Sequence, residues 1–155
     1  MLVQRCRLDQ HRLIVPVSVS KPTFDSGIFT QNFAQSEYRA LVDTGAQRTV
    51  VSRSVIAENS LMRVGHMEFG GLHGPRTHTR YLAALGVWGR RISSADSTVA
   101  YEQTEQSLFA LEDPLEIVNM DDNGNFDLIL GFDVLKSFNF SFDHQSRLFE
   151  IQLGK

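Results

Sequence analysis

Asp43 is the residue in this chain best placed to do chemistry. It follows the apolar pair Leu41-Val42, and Thr44-Gly45 turns the chain before Ala46, Gln47, Arg48 and Thr49 lead into a second apolar pair, Val50-Val51. A carboxylate at a strand end beside a hydrophobic core is costly to desolvate. The arrangement makes sense if the carboxylate faces water or a substrate pocket and accepts hydrogen bonds from the turn. Such a group can exchange a proton with water or with a reacting carbonyl. Taken alone, however, Asp-Thr-Gly reads as an ordinary turn, because Asp and Gly are common turn formers.

Other chemistry-bearing residues fit less well. Asp25-Ser26-Gly27 repeats the pattern but lacks the apolar pair before it, and reads as a turn. His66, His73 and His78 match no standard metal-ligand spacing and are joined by no cysteine or paired carboxylate. Asp121-Asp122-Asn123-Gly124-Asn125 opens like a calcium loop. Phe126 then stands where that loop needs glycine and Phe132 where it needs a bidentate glutamate, so a turn is expected. Cys6 is the only cysteine, which rules out an internal disulfide and suits a reducing, cytoplasmic setting.

The totals agree with one domain spanning residues 1–155. The composition is 42% hydrophobic, enough for a core, and the net charge of −3 is spread along the chain without a basic face for nucleic acid. No run approaches the roughly 18 apolar residues of a membrane span, and no apolar signal core follows the first residues.

The elements that must position Asp43 read mainly as strands. Residues 13–19 are rich in β-branched residues, with Pro16 arguing for an edge or a bulge. Residues 20–36 form a loop or ragged hairpin, residues 37–42 deliver Asp43, and residues 49–52 leave it. A short helix is expected over 52–59, with Ser52 or Ser54 as its cap. Two extended segments across 64–87 flank a tip with Gly70, Gly71, Gly74 and Pro75, a hairpin built for mobility and a candidate lid. Residues 89–113 read as strand, loop, strand, and 115–118 as a strand. Leu128-Ile129-Leu130 runs into Gly131, where Asp133 is placed to cap a helix over 134–138. Residues 139–151 alternate around a polar turn as a hairpin.

Leu41-Val42-Asp43-Thr44-Gly45-Ala46 with Thr49, the glycines at 70–74, and Leu128-Ile129-Leu130-Gly131-Phe132-Asp133-Val134-Leu135 occur in that order. Together they resemble the retropepsin-like aspartic proteases, particularly the bacterial single-domain members, over residues 12–151. The resemblance implies a mainly β, retropepsin-like acid-protease lobe: a small closed barrel-like lobe with a flap hairpin and one short C-terminal helix. It implies that Asp43 is catalytic, with Thr44 and Gly45 completing its loop. Substrate contact is implied for Ala46, Gln47 and Arg48 and for the flap glycines Gly70, Gly71 and Gly74, and a structural role for Asp133. Viral members carry an aspartate and an arginine where this chain has Gln47 and Phe132. Both ends of that ion pair are absent together, so no charge is left buried alone.

One aspartate per chain implies a homodimer acting on a protein or peptide substrate. Peptide hydrolysis by this route needs one ionised and one protonated carboxylate, and two carboxylates in one site share a proton. Water is the nucleophile, so no metal or organic cofactor is needed. Segments 1–10 and 148–155 are the expected interface strands. Two rival readings remain: a non-catalytic peptide-binding or dimerisation module on the same fold, and a monomer that becomes competent only with a partner.

Overall fold

Short apolar runs rich in β-branched residues become strands, and the polar, glycine-containing stretches between them become turns. The structure, a computed structural model, describes residues 1–7, 12–33, 36–71, 74–92 and 101–153. The strands are β1 (Leu2–Arg7), β2 (Ile14–Ser20), β3 (Thr23–Asp25), β4 (Ile28–Thr30), β5 (Tyr38–Val42) and β6 (Val50–Ser52), followed by β7 (Met62–Gly71) and β8 (Gly74–Arg91). The later strands are β9 (Gln106–Ala110), β10 (Leu115–Met120), β11 (Leu128–Leu130), β12 (Asn139–Asp143) and β13 (Leu148–Leu153). Among the described residues two short helices, α1 (Arg53–Glu58) and α2 (Phe132–Leu135), follow β6 and β11, and a 3-10 turn spans Tyr101–Gln103. The mainly β lobe expected from the sequence is what the chain forms.

The 18-residue β8 is the spine, pairing with β7, β10, β2, β9 and β1 in turn along its length. The pairings β8–β10, β10–β6, β6–β11, β11–β5, β5–β2 and β2–β8 return to their starting strand. The core fills this circuit with Val15, Val17, Val51, Leu85, Ile117 and Leu128, all fully buried. Two pairings in the circuit are parallel, β5–β11 and β6–β10, and they tie the strands before and after Asp43 to the second half of the chain.

Pro16 departs from expectation, because β2 lies inside the sheet between β5 and β8. The Val42 N–H bonds the Leu13 carbonyl at 2.8 Å, and the register then places Pro16 opposite Arg39 at a non-bonded pair. Its missing N–H therefore faces the β8 side, where pairing begins only at Val17. Pro16 ends one ladder without interrupting the other.

Four further expectations were sharpened. Residues 20–36 hold the separate β3–β4 hairpin, turned by Ser26 and Gly27 at φ 50° and 81°, so Asp25-Ser26-Gly27 is a turn. Ser52 occupies the position before α1 but its hydroxyl does not cap the helix; the Asp122 carboxylate accepts the Ser54 N–H instead, at 3.0 Å. In 89–113, the first strand is the end of β8 and the last is β9, while 93–100 falls outside the described residues, as do 8–11, 34–35, 72–73 and 154–155. The 139–151 hairpin is present as β12 and β13. Among the described residues, no helix is long and apolar enough to cross a membrane.

Leu128 tests the circuit, since it is fully buried where β11 meets both β5 and β6. Leu128→Ala is expected to lower the unfolding free energy in urea by about 2–5 kcal/mol, the usual cost of such a cavity.

Candidate active site

Asp43 sits immediately after β5, and its position is fixed by backbone before side chains contribute. Its N–H donates to the Leu130 carbonyl at 3.1 Å, extending the parallel β5–β11 ladder by one residue, and its own carbonyl accepts the Ala46 N–H at 3.2 Å. The Gly45 N–H donates to Asp43 Oδ1 at 2.9 Å, so the turn aims the carboxylate. A Cβ at Gly45 would come within 3.2 Å of that oxygen. Asp43 is half-buried, while Thr44 and Gly45 are exposed.

The far side of the loop is locked to α2. The Phe132 N–H donates to the Ala46 carbonyl at 2.7 Å and the Asp133 N–H to the Gln47 carbonyl at 3.3 Å. Asp133 returns two acceptors: Oδ2 takes the Thr49 N–H at 3.0 Å and Oδ1 the Thr49 hydroxyl at 2.8 Å. Thr49 is fully buried, and its oxygen also accepts the Gly131 N–H at 3.1 Å. Gly131 is packed so closely on Arg48 that a Cβ would lie 2.5 Å from the Arg48 carbonyl carbon. Asp133 does not cap, because α2 starts at Phe132 rather than Val134 and Gly131 holds the cap position without a side-chain bond. It stands inside the first turn of α2, receives the Val134 N–H at 3.0 Å, and braces the loop through Thr49.

Asp43, Thr44, Gly45, Ala46, Gln47 and Arg48 thus form one braced loop. Gly70, Gly71 and Gly74 lie at the end of the β7–β8 hairpin, with Gly71 opposite Gly74, and no hydrogen bond between described residues joins them to that loop. Phe132 is 53% exposed beside Ala46, an apolar side chain next to the Asp43 loop. The sequence had marked Phe132 only as a departure. Its exposure was not readable there, since its neighbours Leu130 and Val134 are buried.

A cleft of about 600 Å³ opens elsewhere, between Phe109, Leu111, Pro114 and Leu115 on one side and Asp133 and Lys136 on the other. No residue of the Asp43 loop lines it. Among the described residues, no three His, Cys, Asp or Glu side chains converge as metal ligands. His78 Nδ1 contacts the Asn119 carbonyl at 3.1 Å and His66 contacts Arg63, while His73 lies outside the described residues. The Asn123 side chain accepts the Asn125 and Phe126 N–H groups, closing the expected turn.

The chain resembles retropepsin-like aspartic proteases in structure as well as in motif. A retropepsin-like aspartic protease from Rickettsia conorii is 12% identical, with 96% of this chain and 90% of that one covered at a TM-score of 0.48. The simian foamy virus (mac) protease is also 12% identical, covering 80% of this chain and 92% of its own at 0.43. The retroviral protease-like domain of Ddi1 from Leishmania major is 17% identical, covering 86% and 82% at 0.40. No family model matches the sequence, and no curated protein does. These likenesses are remote, so the work of the Asp43 loop has to be read from its own bonds.

Thr49→Val keeps the shape of the side chain and removes the hydroxyl between Asp133 and Gly131. It is expected to lower stability by about 1–3 kcal/mol, through the acceptor and donor left unmet. Hydrogen exchange should quicken in residues 43–49 and 131–134 before the rest of the sheet.

Proposed function

We propose that the chain is an aspartic endopeptidase that works as a homodimer, with water activated between the Asp43 carboxylates of two copies. The observation that carries this reading is the Asp43 carboxylate itself, aimed by the Gly45 N–H on a rigidly braced loop whose Thr44-Gly45 face is left open. A carboxylate held this firmly at a surface is preorganised for a second group to meet it.

In the shared site one carboxylate is ionised and takes a proton from water, while the other, protonated, hydrogen-bonds the scissile carbonyl oxygen. The water oxygen bonds to the carbonyl carbon, the C–N bond breaks, and the amine leaves with a proton. Two carboxylates in contact cannot both ionise cheaply, which keeps one proton between them. Thr44 braces the paired loops across the axis. Ala46, Gln47 and Arg48 line the groove beside them, and Gly70, Gly71 and Gly74 cover it from the flap. Gln47 offers the substrate backbone hydrogen bonds without charge. A half-buried Cys6 with no disulfide partner suits work in the reducing cytoplasm.

Mixing wild type with a folded Asp43→Asn variant tests both the residue and the copy number. Asp43→Asn alone should lose at least about 100-fold in kcat, the low end of what a positioned acid–base group supplies. Adding it in excess should depress wild-type activity beyond dilution, because mixed dimers are dead. Activity retained by Asp43→Asn homodimers would refute the mechanism. Peptide binding without turnover by a dimeric wild type would favour the binding-module reading instead. The wild-type rate should follow a bell-shaped pH profile on the acidic side.

A further inference from the structure

β9 has a single strand partner among the described residues, β8. The Leu111 N–H donates to the Leu85 carbonyl at 2.9 Å and the Arg91 N–H to the Glu105 carbonyl at 3.0 Å, one bond at each end of this pairing. Both belong to the register that sets Phe109 opposite Val87 and Ser107 opposite Gly89, so alternation turns the odd-numbered residues of β9 toward β8. The N–H and C=O groups of Leu108 and Ala110 therefore point away from β8, and no bond from a described residue reaches them.

This edge runs into the cleft beside α2. Phe109 and Leu111 share one face by alternation, and with Pro114 and Leu115 they make the apolar wall. Phe138 backs Phe109 edge to face, with centroids 5.6 Å apart. At about 600 Å³ the cleft falls within the roughly 300–1,000 Å³ of sites that enclose small groups. Main-chain groups along an edge, next to a pocket for a side chain, are what a sheet needs to bind an extended peptide. Charge narrows the partner further. Residues 105–113 carry three carboxylates, Glu105, Glu112 and Asp113, and no lysine or arginine. Glu112 and Asp113 are exposed at the cleft, and among the described residues neither has an ion pair. Asp133 also lines it, but its oxygens are already filled by Thr49 and Val134. Two carboxylates against the one ammonium of Lys136, with Glu105 further along the edge, favour a basic partner.

We infer that β9 and this cleft form a peptide-binding site separate from the Asp43 loop. It takes an extended segment by strand addition to Leu108 and Ala110, with an apolar side chain seated in the cleft and lysine or arginine on either side. Nothing in it depends on Asp43, since no residue of the Asp43 loop lines the cleft. Backbone bonds hold the segment whatever its sequence, while the cleft and its carboxylates choose among segments.

The probe is a dye-labelled Lys-Thr-Leu-Thr-Lys peptide, whose β-branched threonines favour an extended chain. It is titrated into the folded Asp43→Asn variant, so that cleavage does not intervene. Saturable binding is expected in fluorescence anisotropy, with amide shifts at Leu108, Ala110 and residues 133–137. Ala110→Pro removes the outward N–H but leaves the bonds of Phe109 and Leu111 to β8, and it should weaken binding about tenfold. Glu112→Lys combined with Asp113→Lys should cost a similar factor, as should Ser137→Trp, which fills the cleft from an exposed position. The charge-inverted Glu-Thr-Leu-Thr-Glu peptide should bind about tenfold more weakly than the basic one. No saturable binding, equal binding of the two peptides, undiminished binding to folded Ala110→Pro, or shifts confined to residues 43–49 and the β7–β8 hairpin would overturn the inference.

Discussion

The contact between the buried Thr49 and the half-buried Asp133 is the constraint on which the site depends. A carboxylate this close to a core is tolerated because it is filled with donors: the Thr49 N–H, the Thr49 hydroxyl and the Val134 N–H. The hydroxyl is saturated in turn, giving its proton to Asp133 and accepting from Gly131. Three backbone bonds then hang the Asp43 loop on this knot, from Asp43 to Leu130, Phe132 to Ala46 and Asp133 to Gln47. The open face at Thr44 and Gly45 can stay open because everything behind it is closed.

Much of this was legible in the chain. The strand delivering Asp43, the strand leaving it, the β7–β8 hairpin and the final hairpin all follow from alternation and turn residues, because their cause is local. Asp133 was visible as a helix-start residue, but its bond to Thr49 was not, since nothing in the spacing of positions 49 and 133 records that they meet. Pro16 misled for a related reason. Its effect on a sheet depends on which neighbour its nitrogen faces, and that is set by strands far away in sequence. The helix start at Ser52 likewise looked self-capped, yet the acceptor comes from Asp122.

The two ends of the sheet show different solutions to one problem. Around the Asp43 loop, strand edges are used up by a circuit of pairings through β8, β10, β6, β11, β5 and β2. Beyond β1 and β13 the sheet leaves that circuit and, among the described residues, comes to an end at β12, where Phe140 and Phe142 are exposed.

The parallel ladders β5–β11 and β6–β10 also order events during synthesis. Parallel partners cannot be neighbours in the chain, so each of these pairings closes a long loop before it returns any stability. A nascent chain that has emerged only as far as the β7–β8 hairpin holds Asp43 on a turn with no brace. Neither Leu130 nor Asp133 has yet arrived. The loop acquires its geometry only once the chain extends past Asp133, so a chain cut or stalled before that point carries the aspartate without the site.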